Sequence, residues 1–73
     1  MTFDLKIGDK IKVIDFNCGK LCEHKFTIMN IRRGTIIEII SVQPIYGPYT
    51  IRINNYNMSI GRNMFKRIIY EKI

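Results

Sequence analysis

Tyr49-Thr50-Ile51-Arg52-Ile53-Asn54-Asn55-Tyr56-Asn57-Met58-Ser59-Ile60 decides the fold. Ile51 and Ile53 alternate with Thr50 and Arg52, and beyond the paired asparagines Met58 and Ile60 alternate with Asn57 and Ser59. A period of two carried by branched and aromatic residues is the pattern of a strand. Asparagine reaches positive φ more readily than other residues with a Cβ, and a two-residue hairpin turn requires such φ values. The stretch therefore predicts strands over Tyr49 to Ile53 and Tyr56 to Ile60, joined by a tight turn at Asn54-Asn55.

Moving upstream, Pro44-Ile45-Tyr46-Gly47-Pro48 reads as a rigid loop, because proline cannot continue a central strand. Before it, Thr35 to Val42 is a β-branched run interrupted only by Glu38 and Ser41. Ile37 and Ile39 share one face of that strand; Ile36, Glu38, Ile40 and Val42 share the other. Both faces are partly apolar, which points to a strand that bends or to one that meets a partner. Arg32-Arg33-Gly34 is a turn. From Lys20 the period lengthens, and Cys22, Phe26 and Met29 fall at i, i+4 and i+7 on one helical face. Asn30 ends that helix, since it tolerates the left-handed conformation. Ile7-Gly8-Asp9 is a turn into a first strand over Lys10 to Phe16, with Ile11 and Val13 on one side and Lys10, Lys12 and Ile14 on the other. Downstream, Gly61 to Phe65 is a short helical turn and Arg67 to Tyr70 a closing strand. The sum is a mostly β chain: a small barrel of about five strands with one short helix after the first, whose closure removes the sheet edges. Val13, Phe26, Met29, Ile37, Ile39, Ile51 and Ile53 are its expected core.

At 73 residues the chain, 1–73, is expected to form one domain, near the lower size limit of a single core. With 47% hydrophobic and 25% charged residues it has the composition of a folded chain. No apolar run approaches the roughly 20 residues of a membrane span, and the start lacks a signal-peptide pattern. A cytoplasmic location without membrane insertion is expected. Cys18 and Cys22 are then expected as free thiols, because a reducing compartment disfavours disulfides and four positions close only a small loop. The formal charge of +6 points to an anionic partner only weakly, because a composition rich in Ile, Asn and Lys and devoid of Ala is what A/T-rich codons favour.

Several local patterns resemble the FeoA family, across nearly the whole chain. Leu5-Lys6-Ile7-Gly8-Asp9-Lys10-Ile11-Lys12-Val13 resembles its first strand, a Leu and a Gly leading into a Val-bearing strand. Lys25-Phe26-Thr27-Ile28-Met29-Asn30-Ile31-Arg32-Arg33-Gly34-Thr35 resembles its basic, apolar, Met-Gly-Leu and Pro-Gly-Thr sequence. Glu38 and Ile39 fall where the family's next strand alternates. Pro44 to Pro48 resembles its loop with a proline at each end, and Ile51 to Ile60 its hairpin ending in a Ser/Ala-Leu step. Asn30 and Asn55 replace usual glycines, Arg33 a proline, and Phe65 an alanine; Gly47 lies one place late. The resemblance implies an SH3-like barrel and a non-enzymatic accessory role beside FeoB, the membrane ferrous-iron transporter with a cytoplasmic GTPase domain. The family is often labelled as metal-binding by association with that pathway.

Catalytic signatures are missing: there is no GxxxxGK[ST], GxGxxG or GxSxG. Cys22 and His24 would lie about 200° apart on a helix and so do not form a nucleophile and base pair. Cys22 instead reads as a small buried apolar residue. Cys18, Cys22 and the sole histidine make a poor metal set, and the acidic residues are scattered singly. Neither a catalytic residue, a cofactor nor a metal ligand is expected. Arg32, Arg33, Arg52, Arg62 and Arg67, with Tyr46, Tyr49 and Tyr56 as stacking platforms, would suit a small barrel that binds single-stranded nucleic acid. Solvated charges and hairpin packing explain the same residues, so no nucleic acid is expected. A stand-alone equivalent of the SH3-like domain of iron-dependent repressors is a further alternative. An apolar centre rimmed by charge is a common interface design, and Arg32, Arg33, Ile36, Glu38 and Ile40 are the candidate partner-binding residues. Alternatively, Ile36 and Ile40 pack beneath the helix or the Pro44 to Pro48 loop. Because a ligand stabilises only by preferring the folded state, added Fe²⁺ or Zn²⁺ should barely raise the melting temperature; stoichiometric micromolar binding lost in Cys18→Ser and Cys22→Ser would refute this.

Overall fold

The computed structural model describes residues 5–43 and 47–73. Its elements run β1 (Lys10–Phe16), α1 (Lys20–Ile28), β2 (Ile36–Val42), β3 (Tyr49–Ile53), β4 (Tyr56–Ile60), α2 (Arg62–Phe65) and β5 (Ile68–Lys72). All pairings are antiparallel, in the order β4-β3-β2-β1-β5. The architecture is the expected one, a small barrel-like β fold with a helix after the first strand. The Pro44 to Pro48 loop falls partly outside the described residues.

Three of the turns and helix ends rest on residues that supply positive φ. Gly34 has φ 91° and Thr35 N–H donates to the Arg32 carbonyl at 3.0 Å, as the third position of a type II turn requires. Asn54 has φ 56° at the β3–β4 turn. Asn55, expected to share that conformation, does not adopt it, so one left-handed residue suffices here. Asn30, at φ 65°, ends α1. There the Ile31 N–H reaches back to the Phe26 carbonyl at 2.8 Å and the Asn30 N–H to that of Thr27 at 2.9 Å. This is a Schellman motif. Its characteristic apolar pair is Phe26 with Ile31, both fully buried. Met29, expected in the core, is only partly buried beside it, because the motif turns the chain so that Ile31 takes the inward position.

Two bulges bend the sheet, one between Val13 and Asp15 in β1 and one between Ile39 and Ser41 in β2. The second corrects an expectation. With Ile40 as the extra residue, alternation shifts by one, and Val42 comes opposite Tyr49, a buried residue, and packs against the core. It does not share the outer face with Ile36. Inside lie Leu5, Ile11, Val13, Phe26, Ile31, Ile37, Ile39, Tyr49, Ile51, Ile53, Ile60, Phe65 and Ile68. Phe65 of α2 lies 4.7 Å from the Tyr49 ring and 6.0 Å from that of Tyr70. Since β4 and β5 end the sheet without pairing with one another, this aromatic row fills the seam that a closing ladder would have occupied.

The expectation of free thiols is overturned: Cys18 and Cys22 are disulfide-bonded, their Cα atoms 5.8 Å apart. The first turn of α1, whose N-cap Gly19 offers no side-chain cap, brings the two residues to bridging distance. Loop size bears on stability against the unfolded chain, whereas helix geometry sets the two sulfurs close and the redox poise of the surroundings sets how much of the bond persists. The short loop limits the benefit to about 2 kcal/mol.

Phe26 is fully buried and stacks on Phe16 with ring centroids 4.7 Å apart. Phe26→Ala should cost about 3 to 5 kcal/mol, which approaches the whole stability of so small a domain. Urea titration checks this, and a midpoint close to that of the parent would show that α1 does not anchor the core.

Candidate functional site

The candidate face is the outward side of β2 with its strand neighbours. Glu38 stands opposite Lys10 on β1 and Arg52 on β3, and Arg52 stands opposite Asn57 on β4. These four form a polar row across the sheet. Arg52 Nη1 lies 3.9 Å from Glu38 Oε1, and its Nε donates to Asn57 Oδ1 at 3.1 Å. One row along, Ile36 stands opposite Lys12, which stands opposite Glu71 on β5. Lys10, Ile36, Glu38, Arg52 and Asn54 line a shallow depression between the two rows.

Of the predicted residues, Ile36 and Glu38 come together in that depression. Ile36 is 44% exposed, a large aliphatic side chain half in water. Ile40 is the extra residue of the β2 bulge and is half-buried. Arg32 is exposed in the turn before β2, where its backbone N–H donates to Thr35 Oγ1 at 2.9 Å. Two residues of the same side escaped the sequence reading as part of the site: Ile14, 43% exposed, and Ile69, 46% exposed. Ile14 was legible as outward from the alternation of β1. Ile69 stands opposite Asp15 through the pairing of the first strand with the last, for which the sequence carries no local signal.

Arg33 is engaged elsewhere. Its Nε donates to Asp15 Oδ1 at 2.9 Å and its Nη2 to Glu23 Oε1 at 2.7 Å, while its guanidinium lies 5.5 Å from the Phe16 ring centroid. It thereby clamps the end of β1 to α1 and covers the Phe16–Phe26 stack. The Asp15 carboxyl is held below its usual range, chiefly by accepting the Phe16 backbone N–H and next by Arg33. Asp9 is lowered too, first by the Lys6 backbone N–H and further by Lys72.

The residues that suggested a nucleic-acid groove do not assemble one. Tyr49, read as a stacking platform, is buried in the core. Arg62 donates to the Gln43 carbonyl at 2.8 Å and to that of Gly47 at 3.0 Å, and stacks 5.1 Å from the Tyr49 centroid. It fastens the two ends of the β2–β3 loop. Tyr56 donates its hydroxyl to the Met29 carbonyl at 3.3 Å, satisfying a helix-end acceptor. Tyr46 lies outside the described residues. Among the described residues no three His, Cys, Asp or Glu side chains are grouped to hold a metal ion, and no helix is long and apolar enough to cross a membrane.

A curled five-stranded sheet with a helix after the first strand and a short helical turn before the last is a small SH3-like β domain. The chain belongs to the FeoA family: the FeoA domain matches residues 3–72. That family comprises small iron-uptake accessory domains and is not a known enzyme family. The fold is similar to that of a FeoA-like protein from Clostridium acetobutylicum, with TM-score 0.84 and 30% identity over 96% of this chain and 81% of that one. An iron uptake regulatory protein (FeoA) gives TM-score 0.85 at 23% identity, over 96% of this chain and 90% of the other. Iron(II) transport protein A from Clostridium thermocellum gives 0.86 at 23% identity, over 96% and 43%. No curated protein matches the chain.

The lowered carboxyls fix a pH dependence. A group whose pKa falls on folding adds stability above its unfolded value, about 3.9 for Asp, and that stability is lost as pH falls through the lower folded value. Melting temperatures should therefore hold steady down to about pH 4 and drop below it. Arg33→Ala should lower the melting temperature at neutral pH and differ less from the parent at acid pH; an offset independent of pH would show that the ion pairs contribute nothing.

Proposed function

We propose that the protein is a non-enzymatic cytoplasmic adaptor of ferrous-iron uptake that assembles with, or modulates, a FeoB-type membrane transporter by binding its cytoplasmic GTPase domain. The observation that carries this reading is the match to the FeoA domain over residues 3–72. Iron is the cargo of the pathway in this reading and needs no site on this chain.

The face that supports contact is the outward side of β2 and β1. Ile36 supplies apolar surface, and Ile14 on β1 and Ile69 on β5 add exposed aliphatic side chains. Lys10, Lys12 and Arg32 supply positive charge at its margin, and Glu38 with Arg52 adds a polar row. Such a face suits an acidic protein surface with an apolar centre, since complementary charge steers encounter and buried aliphatic area holds the complex. Arg33, Glu38 and Ile40 complete the proposed set: Arg33 by fixing the turn that carries Arg32, and Ile40 by widening the bend of β2.

Titration of the labelled protein with the soluble GTPase domain of its matching transporter tests the reading. Ile36→Glu should weaken binding on the order of tenfold or more, with the melting temperature almost unchanged because the side chain is half exposed. Unaltered affinity would remove this face from the proposal. If the protein ignores that domain but binds short single-stranded RNA or DNA with steep salt dependence, the nucleic-acid reading takes its place.

A further inference from the structure

Helix α1 has two apolar stripes, and the core uses only one. Phe26 is buried, with Cys22 and Met29 partly buried beside it. On the opposite side Leu21 is 82% exposed and Ile28 72% exposed. At 100° per residue these two and His24 fall within about 60° of one another, at the crest of the helix farthest from Phe26. Lys20 and Lys25, both exposed, lie on either flank of the crest. The one acid of the helix, Glu23, is turned to Arg33 and neutralised there. Arg67 stands beside the first turn, with Cys18, Gly19 and Cys22 around one shallow depression.

We infer that this crest docks the protein on an anionic lipid surface, with Leu21 and Ile28 entering the acyl boundary and Lys20 and Lys25 at the phosphates. The geometry separates this occupant from two others. A protein interface needs a contiguous dry centre of several hundred Å² per partner, whereas Leu21 and Ile28 stand on a convex ridge among exposed Lys20, His24, Lys25 and Thr27. A fluid lipid surface receives single protruding aliphatic side chains, and flanking lysines extend their stems along it to reach the headgroups. A second copy packed helix to helix would bring the lysine flanks together, and like charge opposes that. The crest is separate from the β2 face, so the inference does not rest on transporter binding.

Co-sedimentation of the whole protein with vesicles, in the absence of any transporter, tests it. Binding should occur on phosphatidylglycerol/phosphatidylcholine vesicles at low salt, be absent on phosphatidylcholine alone, and be reversed by salt. Leu21→Ala with Ile28→Ala, a change that favours helix, should keep the melting temperature and weaken binding on the order of tenfold. Lys20→Gln with Lys25→Gln should weaken it on the order of tenfold as well. Ile36→Glu, on the other face, should bind vesicles like the parent. No binding to the anionic vesicles overturns the inference. Equal binding by the Leu21/Ile28 variant overturns it too, since the net charge of the chain alone would then be responsible. A dimer that depends on Leu21 and Ile28, without vesicle binding, would assign the crest to a second copy instead.

Discussion

A five-stranded sheet whose strands are only five to seven residues long can bury its inner face only by curling. The extra residues at Ile14 and Ile40 supply the bend, because a bulge adds length to one strand and increases its local twist. Once curled, β1 and β2 present Ile11, Val13, Ile37 and Ile39 to one enclosed space, and β4 and β5 end the sheet without pairing. Phe65 then has a place between Tyr49 and Tyr70. Phe65 thereby packs rings contributed by β3 and β5 against α2. The core, the seam and the outward positions of Ile36 and Lys12 all follow from those two bends.

Elements with a strong local period were legible in the sequence. Alternation placed Ile11 and Val13 inward and Ile14 outward, and the i, i+4, i+7 spacing found the inner face of α1. Asn30 was recognised as a helix stop because its backbone requirement is local. Ile31 was missed, since its burial depends on the Schellman turn bringing the residue after the stop back over Phe26. Val42 was assigned to the wrong face because a bulge has no signature in a run as uniformly β-branched as Ile36 to Val42. The disulfide was missed for another reason: general rules about compartment outweighed the plain geometry of two cysteines four apart across the first turn of a helix. For the candidate face, Ile36 and Glu38 could be read from one strand, whereas Ile14 and Ile69 joined them only through nonlocal pairing.

The basic balance of the chain is divided by what each cation touches. Arg33, Arg52 and Arg62 all have partners on other segments: carboxylates for the first two and loop carbonyls for the third. Exposed ion pairs of this kind contribute little stability individually; Arg33 ties a turn, Arg52 links neighbouring strands and Arg62 holds a loop. Arg62 in particular grips both ends of the β2–β3 connection. Cations that hold structure are poor candidates for a sliding electrostatic groove, which needs side chains free to follow a phosphate backbone. The buried ring of Tyr49 removes the corresponding stacking platform.

Arg33 shows how an arginine can serve at a turn position that suits proline. A proline is favoured at the second position of a type II turn because its φ is already set. Any other residue there gives the unfolded chain more freedom and so opposes folding by a few tenths to about 1 kcal/mol relative to proline. Gly34 still supplies the positive φ that the turn requires, so the backbone path is kept. What the arginine adds is reach: from the turn it spans to Asp15 on β1 and Glu23 on α1 while lying over Phe16. Instead of stiffening the turn from within, the arginine ties it to two neighbouring elements. The consequence extends to the helix, because engaging Glu23 leaves the crest of α1 with lysines and no free acid. The same arginine that secures the turn thus sets the sign of the charge on the helix's outward face.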